Sequence, residues 1–60
     1  MNLTSQIISA RAEIEVSKEI VTLFMIVVYF ETPDKWGSFF YGFNEKGVIS
    51  KYRRNEVRLL

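Results

Sequence analysis

The sequence predicts a mainly β protein: an antiparallel meander of about four strands, packed as a dimer or as a small barrel. Three observations favour this fold class. Residues 8–17 alternate between apolar and polar side chains, residues 20–30 form an uncharged run rich in β-branched and aromatic side chains, and residues 44–47 have the composition of a hairpin turn. The alternative is an α+β fold in which an N-terminal helix lies on a three-stranded antiparallel sheet. At 60 residues the chain is expected to form a single domain, 1–60.

The first strand is predicted near residues 6–17. Apolar and polar side chains alternate without a break from Ile8 to Ser17, as in a strand with one buried face. A helix competes for the same segment, because apolar residues also recur at helical spacing between Leu3 and Ile14. Alternation is the stronger local signal, so the strand is preferred and the helix stays open as the alternative.

The second strand is predicted near residues 20–31, from the run IVTLFMIVVYF. Both faces of such a strand are apolar, whereas an antiparallel sheet normally leaves one face to water. A second sheet or a second copy of the chain is therefore expected to cover the other face, and a symmetric dimer packed sheet on sheet is the economical solution. The residues assigned to this core or dimer contact are Val21, Leu23, Phe24, Met25, Ile26, Val27 and Val28.

The third and fourth strands, near residues 36–43 and 48–54, are predicted to form a hairpin. Asn44 suits the first position of a type I turn, and Gly47 supplies the positive φ of the bulge that follows in a three-residue loop. Residues 56–60 are expected either to continue the last strand or to dock as a tail. Counting outward from the turn gives the facing pairs Phe43–Ile49, Tyr41–Lys51 and Phe39–Arg53 on one face, and Phe40–Tyr52 on the other.

The apolar run does not predict a membrane segment. A spanning helix needs about 20 apolar residues, and the acidic residues Glu19 and Glu31 close this run at its two ends. The basic lead-in that is typical of a signal peptide is also missing. A soluble, cytoplasmic protein with no membrane partner is therefore expected. Its size and strand content are also typical of phage and plasmid accessory proteins.

The composition argues against catalysis. The chain has no His and no Cys, which removes the commonest general base, the commonest metal ligand and any disulfide or thiolate site. Glu13 and Glu15 lie two residues apart, but they alternate with apolar residues as solvent-facing side chains do. No catalytic, cofactor-binding or metal-binding residue is predicted, and the chain is expected not to be an enzyme.

Charge is unevenly distributed along the chain, although the net charge is only +1. Residues 1–45 carry three basic and six acidic side chains, whereas residues 46–60 carry five basic side chains and one acidic. The predicted hairpin therefore sets a basic fourth strand beside an aromatic third strand. Rings at strand spacing are more often core than binding surface, and lysine and arginine can lay their stems over such rings while their charges reach water.

The predicted function is that of a small interaction protein that forms a homodimer and binds a macromolecular partner through this hairpin. An unidentified protein is the preferred partner. The alternative is a module for single-stranded RNA or DNA, because bases stack on rings and cations meet phosphates. The predicted partner or nucleic-acid surface comprises Trp36, Phe40, Tyr52, Lys51, Arg53, Arg54 and Arg58.

Overall fold

The computed structural model describes residues 2–60, which fold almost entirely into antiparallel strands. The strands form one five-stranded sheet in the order β4-β3-β2-β1-β5, curled into a half-barrel. The mainly β prediction is therefore confirmed, the alternative with an N-terminal helix is wrong, and β5 adds a strand to the predicted meander. The elements are β1 (Asn2–Ile14), β2 (Ile20–Thr32), β3 (Lys35–Asn44), β4 (Ile49–Arg53), a 3₁₀ helix (Arg54–Glu56) and β5 (Val57–Leu59).

The first strand, β1, ends at Ile14, although the alternating pattern continues to Ser17. The chain turns here because Lys18 adopts the left-handed conformation, with a φ of 65°, and its N–H donates to the Ile14 carbonyl at 2.8 Å. The Ile14 N–H donates in turn to the Glu19 carbonyl at 2.8 Å, which closes the hairpin. Glycine is the usual residue at a positive φ, and this loop contains none, so the sequence does not indicate the turn. The prediction therefore extends the strand too far, to residue 17.

A β-bulge in β2 changes which of its side chains share a face. Leu23 pairs with Gly42 and Met25 pairs with Tyr41, so Phe24 is an extra residue on β2. Strict alternation predicts that residues 21, 23, 25, 27 and 29 share one face. Beyond the bulge this prediction is wrong, because residues 25, 27 and 29 lie on the face opposite to that of residues 21 and 23.

The inner face of the curled sheet holds the core, to which all five strands contribute. Its buried residues are Ala12, Ile14, Val21, Leu23 and Phe40, and the partly buried Ile8, Ile26, Tyr52 and Val57 pack against them. Of the residues assigned to the core from the sequence, Val21, Leu23 and Val27 are buried, and Phe24, Met25, Ile26 and Val28 are half-buried. Apolar surface therefore stays accessible on β2, and the sheet-on-sheet dimer stays a prediction.

The hairpin between β3 and β4 forms as predicted. Gly47 has a φ of 79° and donates its N–H to the Asn44 carbonyl at 2.9 Å, while the Asn44 N–H donates to the Val48 carbonyl at 3.2 Å. The side chain of Asn44 supports the turn as well, because its Oδ1 accepts the N–H groups of Lys46 and Val48 at 2.9 and 3.0 Å. The predicted cross-strand pairs between β3 and β4 are all present.

The C-terminal segment folds back to the far edge of the sheet. The 3₁₀ helix connects β4 to β5, and β5 pairs antiparallel with residues 12–14 of β1. Leu60 extends this contact, since its N–H donates to the Arg11 carbonyl at 2.9 Å. Glu13 and Arg58 face each other in the ladder and form a salt bridge. The end of the chain therefore docks on β1 instead of continuing β4.

Candidate binding surface on the outer face

The outer face of the sheet carries a row of aromatic side chains. Phe39 lies at its centre, with its ring centroid 6.2 Å from that of Tyr29 and 5.4 Å from that of Tyr41. Phe24 and Phe43 form a second pair, with centroids 6.1 Å apart. The row depends on the bulge in β2, because the bulge directs Tyr29 to the face on which β3 places residues 39 and 41. Within residues 2–60, no further layer of structure covers this face.

The position of Tyr29 in this row depends on a glycine in the neighbouring strand. Gly37 faces Tyr29 in the ladder between β2 and β3. A Cβ atom at Gly37 would lie 2.5 Å from the Tyr29 hydroxyl oxygen and 2.6 Å from its Cζ. The ring therefore lies over the space that a side chain at position 37 would fill, an arrangement that covers the backbone of a strand glycine.

Two cations from β4 lie beside the aromatic row. Lys51 places its Nζ 5.0 Å from the centroid of the Phe39 ring, which is a cation–π distance. Arg53 faces Phe39 directly in the ladder between β3 and β4, and both basic side chains are exposed. The hairpin register brings these groups together, because residues that face each other across a ladder share one face of the sheet.

A groove of about 440 Å³ lies where β3 and β4 meet the 3₁₀ helix. We call it the outer-face groove. Three of its lining side chains are cations and none is an acid, so its local potential favours anionic groups. The adjacent carboxylate of Glu56 is engaged with the backbone, since its Oε1 accepts the Arg53 N–H at 2.9 Å. The groove is lined by Tyr29, Ser38, Phe39, Lys51, Arg53, Arg54 and Asn55.

The structure brings together Lys51, Arg53 and Arg54, three of the residues assigned to the binding surface from the sequence. Phe40 and Tyr52 are not part of this surface. Phe40 is 3% exposed and belongs to the inner-face core, and Tyr52 packs against that core. Their assignment to the binding surface is wrong. Phe40 and Tyr52 face each other between two pairs that lie on the outer face, so the alternation of side chains along a strand places both on the inner face.

Trp36 and Arg58 also lie away from the outer-face groove. Trp36 is 63% exposed and faces Phe30, near the turn between β2 and β3. Arg58 lies on β5, where it pairs with Glu13. Neither side chain therefore joins the aromatic row. A second cavity of about 310 Å³ lies beside β5 and is lined by Phe40, Arg54, Val57, Arg58 and Leu59.

Tyr29, Ser38 and Asn55 line the groove, although no sequence signal assigned them to it. Asn55 belongs to the 3₁₀ helix, which local composition did not indicate, and Tyr29 reaches the groove through the bulge in β2. Phe39 did have a signal. Its predicted pairing with Arg53 placed a ring beside a cation, which is the arrangement that the structure has.

The groove residues offer aromatic rings, an amide, hydroxyl groups and cations. Such groups can pack against apolar side chains, donate hydrogen bonds and pair with anions. No group of three or more acidic side chains that could hold a metal ion occurs in residues 2–60. That part of the chain also contains no helix long and apolar enough to cross a membrane.

No protein-family model, curated protein or solved structure matches this chain.

Proposed function

We propose that this chain is a non-enzymatic binding protein that recognises an acidic segment of a partner protein at the outer-face groove. The observation that carries the proposal is the combination of three cations and an aromatic row in a groove without an acidic side chain. A bound segment would set its carboxylates against Lys51, Arg53 and Arg54, and its apolar side chains against Tyr29 and Phe39. Opposite charges would steer the approach, and the buried aromatic contacts would contribute most of the binding free energy.

The surroundings of the groove favour a protein over a nucleic acid. Ile49 is 63% exposed and Phe43 is 39% exposed on the same face of the sheet. Burial of exposed apolar groups against the apolar side chains of another protein stabilises a complex, whereas contact with a sugar–phosphate chain stabilises it little.

Single-stranded nucleic acid is the second candidate, because the exposed side chains of Lys51 and Arg53 lie two residues apart on the edge strand β4. This spacing of about 7 Å lets the two cations meet different phosphates of one strand. A tyrosine ring beside them could add stacking of about 1–3 kcal/mol per base. The net charge of +1 is low for this class of protein, which is why we rank it second.

Selection of peptides from a random library on the immobilised full-length chain tests the proposed function. We expect the selected peptides to combine acidic with aromatic or aliphatic residues. They should bind the double variant Arg53→Glu/Arg54→Glu about thirtyfold more weakly, since two favourable pairs at about 1 kcal/mol each are lost. The matched control is Lys18→Glu/Lys46→Glu, which makes the same change of charge in turns away from the groove and should leave the affinity unchanged.

Two results would contradict the proposal: selected peptides that lack acidic residues, or acidic peptides that bind the double variant and the control equally well.

The second candidate, binding of single-stranded nucleic acid, is tested with the same proteins and a fluorescently labelled single-stranded oligonucleotide of mixed sequence. Binding that is tight at low salt, weakens steeply as salt rises and is lost only in Arg53→Glu/Arg54→Glu would reverse the ranking.

A further inference from the structure

We propose that the free edge of β1 pairs with the same edge of a second copy of the chain, giving a two-fold dimer with one continuous antiparallel sheet. Only residues 12–14 of β1 pair with β5, and Leu60 adds a hydrogen bond to the Arg11 carbonyl. Residues 3–7 pair with β2 on one side, and Ile8 and Ser9 lie in a register shift against β2. Within residues 2–60, residues 3–9 have no strand on the other side. Their outward N–H and C=O groups are therefore open to another strand.

This free edge differs from the other edges of the sheet in carrying no charge. The segment from Leu3 to Ala10 contains no ionisable side chain, and within it Leu3 is 66% and Ile7 is 83% exposed. The opposite edge, β4, presents exposed Lys51 and Arg53, whose charges oppose pairing with a second β4. The third edge, β5, is only three residues long. The β1 edge is therefore the long edge that accepts another strand without charge repulsion.

The free segment of β1 is complementary to itself. In an antiparallel pair centred on Gln6, Ile7 lies opposite Ser5 of the second copy and diagonal to Leu3 and Ile7 of that copy. The exposed apolar side chains of the two copies therefore cover one another, and no like charges meet. From Arg11 onward, β1 is already paired with the C-terminal segment, so the contact between the two copies can extend only to the residues before Arg11. A two-fold axis closes the assembly at two copies, whereas pairing of β1 with β4 would continue from copy to copy.

Edge pairing differs from the sheet-on-sheet dimer that the apolar strand predicts. It adds backbone hydrogen bonds along β1 and leaves the outer-face groove open, since the groove lies beside β4 at the other end of the sheet. Packing of the two outer faces would instead cover both grooves and bring Lys51 and Arg53 of the two copies to one interface. The edge dimer therefore stands independently of the proposed function.

Sedimentation velocity over a series of protein concentrations, at low and at high salt, tests the edge dimer. We expect a monomer–dimer equilibrium that does not change with salt, because no charges lie in the paired segment. Ile7→Lys should raise the dimer Kd by at least about tenfold, since a charge on an edge strand opposes pairing. Ile49→Lys is the matched control, because it changes an exposed isoleucine on the β4 edge and should leave the Kd unchanged. Circular dichroism establishes that both variants are folded.

A cysteine variant gives an independent readout of the same pairing. The chain has no cysteine, so Gln6→Cys places a single thiol near the two-fold axis, where facing Cβ atoms lie about 4.5–5.5 Å apart. Mild oxidation should link this variant into a covalent dimer and should leave the turn variant Lys46→Cys monomeric. Three results would overturn the inference: a wild-type chain that is monomeric throughout the series, a dimer that survives Ile7→Lys, or equal cross-linking of the two cysteine variants.

Discussion

Gly42→Ala tests how closely β3 must approach the bulge in β2. Gly42 is buried and faces Leu23 in the ladder. A Cβ atom at this position would lie 2.8 Å from the carbonyl oxygen of Thr22 and 2.9 Å from Cδ2 of Leu23, whereas ordinary carbon contacts lie at about 3.5–4.0 Å. Neither neighbour can move easily, because the first is backbone and Leu23 is 0% exposed in the core.

Two effects compete in this substitution, and their magnitudes decide its sign. Backbone entropy alone predicts that alanine stabilises a strand by about 0.5–1 kcal/mol relative to glycine. Overpacking a tight core costs about 1–3 kcal/mol. We therefore expect Gly42→Ala to lower the free energy of unfolding, and each kcal/mol lost should lower the Tm by roughly 4–8 °C in a domain of this size.

Urea unfolding followed by circular dichroism measures this loss of stability. Gly37→Ala is the companion variant, because its Cβ would meet the end of the Tyr29 side chain at 2.5 Å, and that ring can swing toward water. We expect Gly37→Ala to lose less stability than Gly42→Ala. A Gly42→Ala protein as stable as the wild type would refute the steric reasoning, and a larger loss in Gly37→Ala would assign the tighter constraint to the tyrosine ring.

The β1–β2 and β3–β4 turns give the remaining predictions. Lys18→Gly should raise the free energy of unfolding by about 1 kcal/mol, because Lys18 holds a φ of 65° that glycine adopts without strain. Urea unfolding checks this, and a stability gain of the same size in the control Lys46→Gly would contradict it. Asn44→Ala should lower the free energy of unfolding by about 1–2 kcal/mol, because two backbone N–H groups lose their acceptor. Asn44→Asp keeps the acceptor and should recover most of the lost stability. If Asn44→Ala has the same free energy of unfolding as the wild type, Gly47 alone maintains the turn.

The hairpin between β3 and β4 was predictable in detail because its determinants are local. Asn44 and Gly47 specify a three-residue loop, and the loop length sets the register of the strands on either side of it. Once that register is known, the placement of Lys51 and Arg53 beside Phe39 and Tyr41 follows from counting. Within the groove, the sequence therefore predicts the placement of Lys51 and Arg53 beside Phe39, but not that of Tyr29.

The bulge in β2 and the docking of β5 were not predictable in this way. Phe24 is as apolar as its neighbours, so its side chain gives no indication that it is the extra residue of a bulge. It becomes the extra residue because of the register in which β2 pairs with β3. Similarly, residues 57–59 become a strand because β1 offers them an edge and Arg58 meets Glu13 there. Both features depend on partners that are distant in sequence, whose positions are set by the whole sheet.

The sequence by itself determined the strand-rich architecture, the β3–β4 hairpin and the presence of a strand with two apolar faces. Periodicity, β-branching and turn chemistry act over a few residues, so they can be read along the chain. Only the tertiary structure decided which side chains of β2 face the core, that Phe40 is buried and that Tyr29 joins the outer-face groove. It also decided that, within residues 2–60, β5 covers only part of the outer edge of β1. These outcomes depend on long-range strand pairing, in which a shift of one residue moves a side chain from one face of the sheet to the other.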